Sequence, residues 1–424
     1  MGRKVLVCSV PCWNKKTGSD TFSSLMQGYD IDSIANLYIR EGWPDSDVCR
    51  NYFEISENAV IKSILKRKTK TGRHIETDAV ACKDDDENAL ATAERYKKHR
   101  KNRSYFKLFV REILWKLGKW KTKELDTFLE EFKPDVVFFA MEGYIHFNRI
   151  SRYILKKTGA KGIGYFWDDN FSYQKSKKLG YKMFRFFQKR SLTKLARRCT
   201  DFFAITTKTK KEADENFGID CEILTKPIDF ENKPFEETIL STPLKMVYTG
   251  RLIIGRYDTI ELIGKALDVI NKDKVKIELD VYTMTEIEDT SKLGKYVYLK
   301  EAVPQTEVAQ IQKNADILLF AEATEGEHSQ AARLSFSTKI TDYLGSGKCI
   351  FAVGNKDVAP MEYLRDEDGA ITAYDYDTVL ASLNNIANSP ELVKEYAKKA
   401  YNLGKKNHDK KMIQQRLFSK FQEE

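Results

Sequence analysis

Short runs of β-branched and aromatic residues alternate with helical segments along most of the 424 residues. That alternation leaves few folds open. A strand buried on both faces reads as an unbroken apolar run, and parallel neighbours need helical crossovers between them. The pattern therefore predicts an α/β chain whose parallel sheets are covered on both sides. Strand-like runs fall near 3–10 (RKVLVCSV), 33–40, 135–141 (DVVFFAM), 162–167, 201–205 and 221–224. A second series falls near 244–249 (LKMVYT), 276–281, 316–320 (DILLF) and 348–353 (KCIFAV), with helices near 258–270, 305–313, 338–345 and 376–387. A charged helical pair spans about 86–132. After Pro390 the chain reads as helix almost to its end, with a break expected at Gly404.

The two series are separated by PIDFENKPFEETILSTPL, Pro227 to Leu244, a polar stretch with three prolines and the composition of a linker. The length also exceeds what one hydrophobic core organises. Two domains are expected: residues 1–228, a linker at 229–243, residues 244–405, and a C-terminal helix at 406–424 packing back on the first domain. The longest apolar runs, such as Val136 to Met141, are strand-length, well short of the roughly 20 residues that cross a bilayer. The start, MGRKVLVCSV, reads as a first buried strand and not as a signal peptide.

Charge is unevenly placed. Residues 1–200 carry 41 Lys and Arg against 24 Asp and Glu, whereas the rest of the chain is net negative by 8. Such asymmetry directs the first half to a polyanionic surface, with nucleic acid and an anionic membrane as the candidates. From Phe171 to Arg198 there are ten cations and no acid, with aromatic residues between them; Glu94 to Lys121 is a second basic stretch. Basic amphipathic segments suit an anionic leaflet. Basic residues among aromatics also suit single-stranded nucleic acid, but no nucleic-acid module is present. The seven cysteines are scattered without zinc spacing, which fits a reduced, cytoplasmic protein; with the basic segments, the expected location is the inner face of the plasma membrane.

Two segments of the second half carry chemistry. In LSFSTKITDYLGSGKCIFAVG, Ser337 or Thr338 caps a predicted helix and Lys339 lies in its first turn. A cation there opposes the helix dipole, and the conflict disappears if a phosphate sits at that end. In MVYTGRLIIGR a strand ends at Thr249-Gly250, with Arg251 and Arg256 in the loop beyond. Guanidinium groups at the carboxyl end of a parallel strand are placed to grip diphosphate oxygens. In the first half, WDDN puts Asp168 and Asp169 after a strand, where either can orient or deprotonate a hydroxyl or cap the next helix. Glu142 and His146 follow strand DVVFFAM, and Gly18 and Ser19 lie in the loop after the first strand. No Asp-X-Asp loop ends a strand; Asp84-Asp85-Asp86 sits in a polar stretch. No metal site is expected.

The order strand-TGRL-basic loop, then NADILLF, then SFSTKITDYLGSGKCIFAVG resembles glycosyltransferase family 4 and its relatives of the GT-B fold. FGIDCEILTKPIDF, WDDNFSY and DFFAITTKTKKEADENFG are similar to the second half of that family's first domain. The resemblance covers about residues 133–390 well and the first 130 loosely. It implies two Rossmann-like domains facing across a cleft, with the C-terminal helix crossing back to the first. It also implies transfer of a sugar from a UDP- or GDP-sugar, without further cofactor or metal and with retention of configuration. The acceptor would be a lipid-linked saccharide in surface-polysaccharide assembly.

Carried over by position, Gly250, Arg251, Arg256, Ser337, Thr338 and Lys339 would hold the donor diphosphate and Asp342 the ribose. The acceptor side would comprise Gly18, Ser19, Glu142 and His146, with Asp168 and Asp169 in the catalytic role. Relatives have a glutamate where this chain has Leu334; Glu325 or Glu327 would then face the transferred sugar. A non-catalytic membrane-bound partner subunit and a nucleotide-sugar epimerase are the alternative roles of the same fold.

Overall fold

The computed structural model describes residues 2–14, 21–76, 105–172, 177–231, 233–237 and 239–423. The chain divides into two compact units, Met1–Leu224 with Gln414–Glu424, and Thr225–Ile413.

The first unit is built on an eight-stranded sheet. Its strands are β1 (Val5–Ser9), β2 (Ile34–Tyr38), β3 (Asn51–Ile55), β4 (Gly72–Glu76), β5 (Val136–Ala140), β6 (Lys161–Phe166), β7 (Asp201–Ala204) and β8 (Cys221–Ile223). Their order is β4-β3-β2-β1-β5-β6-β7-β8, parallel throughout except for the antiparallel edge pair β3–β4. The central strands β1, β2 and β5 are buried at every position. Their VLVCS and VVFFA runs are those of strands covered on both faces.

The second unit holds β9 (Leu244–Thr249), β10 (Ile277–Thr283), β11 (Val297–Glu301), β12 (Ile317–Ala321), β13 (Cys349–Val353) and β14 (Ile371–Ala373). The order is β11-β10-β9-β12-β13-β14, all parallel. Both sheets thus share the doubly wound order 3-2-1-4-5-6, the first with an added strand at each edge. Strand order reverses between β1 and β5 in the first unit and between β9 and β12 in the second. In such sheets ligands bind outside the carboxyl ends of the strands at the reversal.

Seven helices matter below: α1 (Tyr105–Leu117), α2 (Ile145–Thr158), α3 (Leu179–Ala196), α4 (Arg256–Ile270), α5 (Thr338–Leu344), α6 (Glu391–His408) and α7 (Lys410–Gln422). The C-terminal helix breaks between α6 and α7, not at Gly404, which lies inside α6. At the break Asp409 is extended and bridges Ile228, with Ile228 N–H on His408 O at 2.8 Å. From Gln414 onward the chain belongs to the first unit. Arg416 donates to Ile223 O, Lys420 pairs with Asp201 and Glu222, and Phe421 packs on Phe138.

The proline-containing stretch after Pro227 packs on the second unit: Phe235 and Leu240 lie against its core. Asp316 accepts the N–H groups of Ser241 and Lys245.

Candidate functional site

The reversal point of the second sheet collects most of the donor-side residues expected from sequence. β9 ends at Thr249, and Gly250 follows with φ +149°. A methyl at Gly250 would lie 2.0 Å from Lys339 Nζ, so the ammonium occupies the space a side chain would fill. Lys339 comes from the first turn of α5, capped by Ser337, whose hydroxyl accepts the Lys339 N–H at 3.4 Å. The Lys339 amine also sits 4.5 Å from the centre of the Tyr248 ring. Tyr248 is buried and donates to Arg251 O at 3.0 Å, which fixes the loop and leaves the Arg251 side chain exposed.

Arg256 opens α4 and reaches across the reversal point to Glu322, one residue beyond β12, at 2.7 Å. The N-terminus of α4 has no side-chain cap: Gly255 stands at the cap position with φ +76°. No side chain therefore takes up the N–H groups that the first turn of a helix leaves without an intrahelical acceptor.

The electrostatics of this cluster are those of a receptor for an anion. Burial pushes the Lys339 ammonium down to about 8, and the nearby Arg256 guanidinium adds to the effect. The two carboxylates that counter it are engaged elsewhere. Glu322 is held by Arg256, and Asp342 by Lys226 at 2.8 Å. Desolvated cations, an uncapped helix end and a backbone kept bare by glycine suit a di-anion held by several donors at once.

Other donor-side positions are less direct. Thr338 is half-buried and its carbonyl accepts the Thr341 hydroxyl. Asp342 is exposed on one side and keeps acceptor capacity beside Lys226. Leu334 is fully buried in the core, whereas Glu325 and Glu327 are exposed beyond β12. Glu322, Tyr248 and Lys226 contact this cluster and are not among the residues expected from sequence. Glu322 was legible only as the first polar residue after an apolar strand.

In the first unit, Glu142 follows β5 at the reversal point and Asp168 follows β6. Burial, then the Asp168 charge, pushes the Glu142 carboxyl up to about 7. Asp168 is half-buried and accepts the Asp169 N–H at 2.7 Å. Asp169 is fully buried; it accepts the Ser172 N–H at 2.9 Å, and its carbonyl takes Arg185 at 2.9 Å. Asp169 thus shapes the turn and Asp168 is the accessible carboxylate of the pair.

His146 stands apart from them. It is buried, stacked on Trp115 at 4.4 Å, and bonded through Nδ1 to Glu112 at 2.9 Å. Burial pushes its pKa down, which leaves a neutral ring tying α2 to α1. Gly18 and Ser19, and the Asp84-Asp85-Asp86 run, lie outside the described residues. No group of His, Cys, Asp or Glu among the described residues is arranged to hold a metal ion.

No protein-family profile matches the chain, and no curated protein matches it by sequence. Solved structures do match it in three dimensions. Anabaena HepE, crystallised with UDP and glucose, superposes with a TM-score of 0.61 at 10% identity, over 99% of each chain. TarM gives 0.61 at 9% identity over 99% of each chain. Sucrose-phosphate synthase from Thermosynechococcus elongatus gives 0.60 at 8%, covering 99% of this chain and 98% of that one. At such identities the likeness is one of fold, and the chain has the GT-B glycosyltransferase fold, two Rossmann-like α/β domains in a single polypeptide.

Proposed function

We propose that the protein is a glycosyltransferase that moves a sugar from a nucleotide-diphosphate sugar to an acceptor hydroxyl. The observation that carries this reading is the cluster at the β9–β12 reversal. There Lys339 is pressed against Gly250, with Arg256 and the uncapped start of α4 beside it. HepE was crystallised with UDP and with UDP-glucose, which supports a nucleotide sugar as the ligand class.

In this reading Lys339, Arg251 and Arg256 neutralise the diphosphate as the bond from the anomeric carbon to its oxygen breaks. The electron pair leaves with that oxygen. The acceptor oxygen forms the new bond to the anomeric carbon, with retention of configuration, and its proton passes to the departing phosphate. Asp342 accepts from the ribose hydroxyls, and Glu325 or Glu327 faces the sugar. Asp168, with Glu142 behind it, orients the acceptor hydroxyl. The acceptor is a lipid-linked saccharide of a polysaccharide pathway, a reading supported by the basic first half of the chain.

The test is a thermal-shift and turnover panel of UDP, GDP and ADP with their sugars. One nucleotide should stabilise the protein, and its sugar should release nucleoside diphosphate when acceptor lipid extract is supplied. Stabilisation without any cleavage would favour a non-catalytic partner subunit, and no stabilisation by any nucleotide would remove the reading.

Two expected results follow from the geometry. Gly250→Ala should displace the Lys339 ammonium and weaken nucleotide binding by about tenfold or more, with the far-UV circular dichroism unchanged. The ammonium is the binding form and titrates near 8 in the free protein. Affinity should therefore fall as pH rises through 8. Binding at pH 9 should take up a proton, read by calorimetry as a heat that depends on the buffer.

A further inference from the structure

Besides the apolar residues that they bury, helices α1 and α3 expose a second set that a domain meeting only water would not carry. The inner face of α1 is anchored by polar groups: Arg111 forks onto Glu57, and Glu112 holds the start of α2 and His146. Its outer face presents Phe106, Val110, Ile113 and Leu117, a stripe at helical spacing, with Phe106 75% and Ile113 54% exposed. On α3 the outer stripe is Leu179, Met183, Phe186 and Phe187, with Leu179 82% and Phe186 53% exposed. The two stripes join: Phe109 of α1 packs edge-on against Phe184 and Phe187 of α3 at 5.0 and 5.9 Å, and Phe187 touches Phe186.

A contiguous apolar surface of this kind marks an interaction site. Its rim says with what. Lys107 and Lys116 flank the stripe on α1, and Lys182, Arg190 and Lys194 flank it on α3, all exposed. The only acid on either helix is Glu112, which is buried. Long cationic side chains around large apolar ones match a surface that is oily below and anionic above. No helix among the described residues is long and apolar enough to cross a membrane.

We propose that the joined outer faces of α1 and α3 dock on an anionic lipid bilayer, with Phe106, Ile113, Leu179 and Phe186 entering the acyl boundary and the lysines at the headgroups. This deepens the reading of the acceptor as membrane-borne and rests on it for its purpose. The binding itself is measured separately from donor binding.

The experiment is co-sedimentation of the full chain with vesicles of phosphatidylcholine, alone or mixed with phosphatidylglycerol. The wild type should partition to the mixed vesicles and not to the neutral ones. Phe106→Asp with Phe186→Asp should lower that partition by about tenfold or more. Lys182→Glu with Arg190→Glu should lower it in a salt-dependent way. Both double variants should keep the nucleotide-dependent melting shift of the wild type, which shows that they fold. Wild type that stays in the supernatant with anionic vesicles, or double variants that sediment like wild type, would overturn the proposal. So would single-stranded oligonucleotide that binds in place of vesicles and is lost in the same variants. Loss of the melting shift in the wild type would instead strike the donor-site reading and leave this surface standing.

Discussion

Lys339→Ala is expected to weaken nucleotide-diphosphate binding by about 10- to 100-fold, since a hydrogen bond from a charged group contributes about 1.5–3 kcal/mol. The fold should be unaffected. The Lys339 amine touches the Tyr248 ring and the bare backbone of Gly250, and in the free protein its desolvation is unfavourable to the charge it carries. Removing it takes away a strained cation, so the melting temperature without ligand should stay level or rise slightly.

Arg256→Ala behaves differently under the same measurement. It also removes a proposed diphosphate contact, but it strands the Glu322 carboxylate, which is 5% exposed and paired with Arg256 at 2.7 Å. A buried charge that loses its partner destabilises by about 3 kcal/mol or more. Arg256→Ala should therefore lower both affinity and ligand-free stability, and Lys339→Ala affinity alone. Calorimetric titration with urea melts on both variants separates the two outcomes. Equal stability loss in both would mean that Lys339 is a structural residue.

Gly264→Ala should destabilise the second unit by about 3 kcal/mol or more. In an ordinary helix interior the same change stabilises by roughly 0.5–1 kcal/mol, so even the sign is diagnostic. Gly264 lies in the middle of α4, where an added methyl would come within 1.7 Å of the Leu293 carbonyl oxygen. The obstacle is backbone, which cannot swing aside like a flexible side chain. Helix α4 would have to lift from the segment holding Leu293 and Val297, both part of the core. Because α4 also presents Arg256, donor affinity should fall with stability. A shift of the urea midpoint to lower concentration checks this; an unchanged or higher midpoint would contradict the packing described.

The strands legible from sequence include every central one and the short edge strand β8. β1, β5, β9, β12 and β13 are covered on both faces, and VLVCS, VVFFA and ILLFA announce that burial. The four missed strands lie at or next to sheet edges. β3 and β4 form the antiparallel edge pair of the first sheet, and β11 and β14 close the two edges of the second. β11 is VYLKE, exposed at four of five positions, and β14 has three residues. A strand with an open side carries no continuous apolar run to read.

The cations expected on the donor side stand at element ends that the periodicity marks: Arg251 two residues beyond β9, Arg256 at the start of α4 and Lys339 in the first turn of α5. The Arg256–Glu322 pair was not legible. It joins residues 66 apart, and only the strand order brings β9 beside β12. His146 shows the converse. It follows a strand end like a site residue, yet Trp115 and Glu112, some thirty positions earlier, enclose it.

The most direct measurement is calorimetric titration of the wild-type chain and Lys339→Ala with UDP, GDP and ADP at pH 7. At least one of these nucleotides should bind the wild type at a single site and bind Lys339→Ala at least about tenfold more weakly. Equal binding to both proteins, or binding of none of the three to the wild type, would contradict a diphosphate site at the β9–β12 reversal.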